Sequence, residues 1–167
     1  GIERQRILVP MPEALGRQAR QLCTQRALIP DTLFVAAWLQ VRHAWIGGEV
    51  VNLTECSTTD AGVRTVCASR HEPHCDMPVS EWLAAVDSGR RAAQPEGSSP
   101  EASSTEMDEV LWVNGGFDMP TAAGLNPSLT MGVCADTLPT LVIDFSKALL
   151  DEAQAHTIAS AIFSSMR

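Results

Sequence analysis

The chain has no tyrosine, and its aromatic content is 5%, so it offers few flat platforms on which bases could stack. Cations are scarce as well. Twelve Lys and Arg face 20 Asp and Glu, a formal charge of −8, and this average field repels a polyanionic backbone. Nucleic-acid binding is therefore a poor reading. The arginine pairs Arg4 and Arg6, Arg17 and Arg20, and Arg90 and Arg91 are scattered and read as solvated faces. No apolar run approaches the roughly 20 residues that cross a bilayer, and no basic segment followed by an apolar core marks a secretion signal. A membrane partner is not expected, and the implied location is cytoplasmic. The five cysteines, Cys23, Cys56, Cys67, Cys75 and Cys134, are odd in number and lack CxxC spacing, which suits reduced thiols. Asn52-Leu53-Thr54 matches the glycosylation acceptor pattern, which carries little weight without a targeting signal. There is no phosphate-binding G-x-x-x-x-G-K-[ST] or G-x-G-x-x-G run, so Gly47-Gly48 and Gly115-Gly116 read as turns.

What is present is a core. Apolar residues make up 45% of 167 positions, enough for one substantial domain spanning 1–167. Ile7 to Val9 suit a short strand. Pro12 opens a helix with Leu15, Ala19, Leu22 and Cys23 inward. Asp31 is placed to cap a second helix, whose Phe34, Val35, Trp38, Val41 and Trp45 form a large apolar stripe ending at Gly47-Gly48. Glu49 to Leu53 and Val63 to Ala68 have strand composition, separated by the polar CSTTDAG segment. Pro78 leads a helix with Val79, Trp82, Leu83 and Val86 on one face. Residues 94–105, QPEGSSPEASST, read as a flexible internal loop, after which EVLWVNGGF returns to strand composition. Leu129, Met131 and Val133 share one strand face, and Leu141, Ile143 and Phe145 share another. The following helix has Asp151 and Glu152 in its first turn and Ile158, Ile162 and Met166 at four-residue intervals. The pattern predicts an α/β fold, a mixed sheet packed with helices.

Candidate chemistry is sparse. Cys67, His71, His74 and Cys75 are residue types that bind tetrahedral zinc, but His74 and Cys75 are adjacent and separated ligand pairs are absent, so a polar loop with a partly buried thiol is preferred. Cys75 beside His74 and Asp76 reads as an exposed HEPHCD turn rather than a nucleophile with its base. His43 reads as an interface or satisfied helix residue and His156 as a solvated one. Asp108 and Glu109 read as a solvated strand entrance, and Asp144 as a solvent-facing or hydrogen-bonded strand residue. No catalytic, cofactor-binding or metal residue is assigned.

The order of segments resembles the C-terminal lobe of a nonribosomal peptide synthetase condensation domain, within the chloramphenicol-acetyltransferase-like superfamily. The resemblance is carried by Ala36-Ala37-Trp38, Gly62-Val63, Glu81-Trp82-Leu83 and Leu141-Val142-Ile143. It covers nearly all of the chain and about half of a two-lobed domain. Such domains resemble paired lobes around a tunnel, joining an acyl or peptidyl thioester to an aminoacyl thioester. Their HHxxxDG motif belongs to the other lobe. This chain has no His followed four residues later by Asp, so the family's catalytic residues have no positions here. Val66 stands where an Asn is common, and VVNLTECSTTDAG replaces a strand and Gly-Arg turn.

The resemblance implies a degenerate or truncated lobe with a structural or interdomain-docking role. Its partners would be an adjacent adenylation or carrier domain, docked through the aromatic helical surface. No cofactor is expected on the chain itself; phosphopantetheine on a neighbouring carrier domain is implied. The alternatives are one lobe of a split condensation enzyme or acyltransferase acting on carrier-bound thioesters with a complementary lobe, and an acidic protein-binding scaffold.

Overall fold

The computed structural model describes residues 3–29, 31–47, 50–58, 64–73, 76–92, 94–95, 110–114, 129–135 and 139–166. Among these, seven strands form one mixed sheet: β1 Arg4–Pro10, β2 Val51–Thr58, β3 Arg64–His71, β4 Gln94–Pro95, β5 Val110–Asn114, β6 Leu129–Ala135 and β7 Pro139–Ser146, in the spatial order β1-β7-β6-β5-β2-β3-β4. β5 is parallel to both of its neighbours, β2 and β6; every other pairing is antiparallel. The four helices are α1 Glu13–Arg26, α2 Thr32–Ile46, α3 Val79–Arg91 and α4 Glu152–Ser165.

The strand–strand–helix ending forms as its periodicity predicts. Met131, Leu141, Ile143 and Phe145 are fully buried, as are Ile158 and Ile162 of α4. Asp151 is the N-cap rather than a first-turn residue: its Oδ1 accepts the Gln154 N–H at 2.7 Å, and Gln154 Oε1 accepts the Asp151 N–H at 2.9 Å. This reciprocal pair satisfies two donors that a helix start otherwise leaves open.

α2 is apolar nearly all round, and helices of that kind lie inside a fold. Leu33 through Leu39 are all buried, and α2 packs against α1, α3 and α4. The small Ala36 lets α3 come close enough for Trp82 Nε1–H to donate to the Ala36 carbonyl at 3.2 Å. Phe34 meets Phe163 of α4 edge to face, centroids 6.5 Å apart. Two features differ from the sequence reading. Trp45 leaves the stripe and is exposed, and Asp31, though at the N-cap, has φ 72° and makes no side-chain cap bond.

The helix α1 ends in a left-handed residue, Ala27 at φ 53°, where glycine is usual, and the Leu28 N–H reaches back to the Cys23 carbonyl at 3.0 Å. In the region read as strand, polar spacer and strand, β2 continues through Cys56, Ser57 and Thr58, which pair with Val66, Thr65 and Arg64. The polar run is compatible because β pairing engages backbone groups. Likewise Gln94 and Pro95, expected at the start of the 94–105 loop, pair with Ala68 and Cys67. The rest of that loop, Asp108, Glu109 and Gly115-Gly116 lie outside the described residues.

Candidate functional site

The densest polar cluster lies where α3 crosses β2 and β3. Trp82, Leu83 and Val86 bury one face of α3, and Arg90, one turn beyond Val86, continues that stripe inward. Its guanidinium meets Glu55 of β2: Nη2 lies 2.7 Å from Oε1, and Nε lies 3.1 and 3.2 Å from the two carboxylate oxygens. Nη1 donates to Thr32 Oγ1 at 3.0 Å. Only 2% of the Arg90 side chain and 8% of that of Glu55 are exposed, so the pair is desolvated and each charge depends on the other.

Asp87 extends the cluster to the α1–α2 turn. Its Oδ1 accepts the Ile29 N–H at 2.6 Å and the Thr32 hydroxyl at 3.4 Å, and its Oδ2 accepts Arg91 Nε at 2.7 Å. Burial alone would raise the Asp87 pKa; Arg91, the Ile29 amide and Thr32 outweigh it and leave the carboxyl below its ordinary value. Arg91 also donates to the carbonyl of left-handed Ala27 at 2.8 Å.

Beside this network, Ser69 Oγ and His71 Nε2 are 2.8 Å apart on alternate positions of β3. His71 is buried, and burial pulls its pKa down to about 4; nearby Glu55 acts upward and Arg90 downward. The imidazole is thus neutral at pH 7. Gly89 lies against the ring: a Cβ there would stand 2.8 Å from Cε1 and 3.1 Å from Nδ1. The cluster is bonded among its own groups and brings together α2, α3, β2 and β3.

These positions revise several sequence readings. Cys67 and His71 belong to β3 rather than a loop, and His71 is buried rather than part of an exposed turn. His74 and Cys75 lie outside the described residues. Among the described residues, no group of three or more His, Cys, Asp or Glu side chains is placed to hold a metal. Arg90 is buried, not solvated, whereas Arg17 and Arg20 are exposed. Arg4 and Arg6 pair with Asp144 at 2.7 and 3.3 Å, so Asp144 has a structural partner across the β1–β7 ladder. His156 is exposed, 3.8 Å from Glu152, and His43 is half-buried. The sequence reading missed Glu55, Thr32, Asp87, Ser69 and Arg90. The available signals were the four-residue step from Val86 to Arg90 and the i,i+4 pair of Asp87 with Arg91.

On the surface, Trp45 at 52% exposure lines a cleft of about 290 Å³ with Leu150, Gln154 and Thr157 of the α4 region. Trp38, by contrast, is 3% exposed and belongs to the core, so the docking role assigned to the aromatic stripe does not extend to it.

A mixed sheet with this helix layer is the fold of one lobe of condensation domains of the chloramphenicol-acetyltransferase-like type. The condensation domain of the monacolin K polyketide synthase MokA superposes with a TM-score of 0.74 at 10% identity, over 98% of this chain and 46% of that one. The X-domain seen in complex with OxyB from teicoplanin biosynthesis gives 0.73 at 10% identity, over 98% and 45%. The trichothecene 15-O-acetyltransferase TRI3 of Fusarium sporotrichioides gives 0.69 at 14% identity, over 99% and 47%. The chain thus spans less than half the length of each of these structures. No family profile matches the sequence. No curated protein matches it either. No described helix is long and apolar enough to cross a membrane.

Proposed function

We propose that the chain is a noncatalytic, condensation-domain-like C-terminal lobe of a nonribosomal peptide synthetase-like multienzyme, holding an adjacent adenylation or carrier domain in position. One observation carries this reading: in a condensation-lobe fold, α2 buries Phe34 and Trp38 but leaves the large aromatic Trp45 exposed at its end. The internally bonded Arg90–Glu55 pair supports it, because it is committed to holding α3 on β2 rather than to a substrate. The exposed Trp45 cleft is the docking surface in this reading. The carrier would bring its own phosphopantetheine arm, and the assembly would work in the cytoplasm.

The test mixes the chain with the adenylation and carrier domains encoded beside it. A complex forms by analytical ultracentrifugation, Trp45→Ala weakens it about tenfold or more without changing the melting temperature, and no amide is made from carrier-bound thioesters. The likeness to an acetyltransferase at under half its length favours a second reading, one lobe of a split enzyme. Amide formation once a polypeptide bearing HHxxxDG is added would establish that reading in place of the first.

A further inference from the structure

The outward face of α1 differs in charge from the rest of the molecule. In a chain of formal charge −8, this face of the 14-residue helix carries Arg17 and Arg20 against a single acid, Glu13, while Arg26, nine residues beyond Arg17, stands on the other side of the helix. Glu13 stands in the first turn and pairs loosely with Arg17 at 3.9 Å, both side chains largely exposed. Arg20 and Arg26 make no ion pair with any described residue. Beside the arginines the face presents Gln18, Gln21 and Gln25, all exposed, while Leu15, Gly16 and Ala19 turn inward. This surface forms an open, shallow face whose described residues all come from α1 and include Arg17, Arg20 and the three glutamines. The Thr24 hydroxyl, also on that face, is turned back onto the Arg20 carbonyl at 3.0 Å.

We infer that this face of α1 docks an acidic protein segment, a carboxylate-bearing helix or strand of a partner. Guanidinium groups at positions i and i+3 stand on one side of a helix and each can grip a carboxylate through two donors. The interleaved glutamines supply donors and acceptors that match the backbone and amide groups of a peptide. The face is short, about 21 Å at 1.5 Å per residue. A long phosphate polymer would run past it onto a surface of its own sign, whereas a compact acidic patch would not. The inference does not depend on the Trp45 cleft or on the synthetase reading.

The test uses the full chain and a fluorescein-labelled, Glu-rich helical 15-residue peptide, with its Glu→Gln version as control, followed by anisotropy at low and moderate salt. The acidic peptide binds and the control does not; affinity falls steeply with salt; and the double variant Arg17→Glu, Arg20→Glu loses at least tenfold while melting as the parent does. Arg70→Glu, an exposed arginine on β3, leaves binding unchanged. Equal binding by the α1 double variant overturns the inference, as does stronger binding of a polyphosphate of the same charge. Replacing Glu96, Glu101, Glu106, Asp108 and Glu109 by their amides should leave peptide affinity the same. A gain of tenfold or more would mean that this chain's own acidic segment is the occupant, and would overturn the assignment to a partner.

Discussion

The two ends of the sheet are held to the helix layer by different physics. At the β1–β7–β6 end, α4 packs on β1 and β7, and its Ile158 and Ile162 join Ile7, Met131, Leu141, Ile143 and Phe145 in one apolar core. At the β2–β3 end, α3 is fixed by the desolvated Arg90–Glu55 pair, by Asp87 on the α1–α2 turn, and by a glycine pressed on a neutral histidine. Apolar packing is tolerant of exchange and indifferent to pH. A desolvated ion pair is neither: removing one partner strands the other, yet removing both together can cost little. This fold is specific at its polar end and merely stable at its apolar one.

The sharpest way to break the comparison is Arg90→Ala, which leaves Glu55 charged and buried. Chemical denaturation should show a loss of about 3–5 kcal/mol, and the paired change Glu55→Leu with Arg90→Met should recover most of it. An equally large loss in the paired variant would mean that the polar end depends on more than charge neutralisation.

Acid should act on this end first. His71 has a folded pKa of about 4 against an ordinary 6.5, so the unfolded state binds the proton more readily. Its contribution is present above pH 6.5, declines as the pH falls toward 4, and amounts to roughly 3 kcal/mol when fully lost. Asp87, also below its ordinary value, adds a loss of the same sign as pH falls through the carboxylate range. Amide protection factors, which correct exchange for its intrinsic slowing with acid, should therefore fall between pH 7 and 4 in α3 before α4, and His71→Gln should flatten the dependence.

Gly89→Ala places a methyl group on the His71 ring and should cost about 1–3 kcal/mol of overpacking, less the helix-propensity gain of about 1 kcal/mol. In a His71→Ala background the same substitution should stabilise, a change of sign visible in a double-mutant cycle. The smallest effect belongs to the apolar end: Asp151→Ala removes the N-cap of α4 and should lower stability by about 1 kcal/mol, measured by thermal melting.

Much of the fold was legible because it follows periodicity. Leu141, Ile143 and Phe145 alternate, Ile158 and Ile162 step by four, and both patterns became buried faces. Trp45 defeated the same logic because it continues the stripe of α2 past the point where neighbours cover it. The polar cluster was illegible for a different reason. Glu55 sits in a run whose side chains look solvated, and Arg90 in a helix end where cations are ordinary. Only the crossing of α3 over β2 and β3 makes them partners, across 35 positions of chain. His71 was marked for the wrong property: its residue type suggested ligation, whereas its burial beside Ser69 makes it a packing element.

The parallel strand β5 carries a consequence for how the molecule coheres. On one side β6 and β7 form an antiparallel unit with β1; on the other, β2 and β3 form a hairpin with β4. Five residues, Val110–Asn114, join the two within the sheet, while α2 spans α3 and α4 in the layer above. The β1–β7 ladder closes the longest span of chain, Arg4 to Ser146, so the first and last strands meet inside one flank. β5 is the rivet that makes the two antiparallel flanks one continuous sheet.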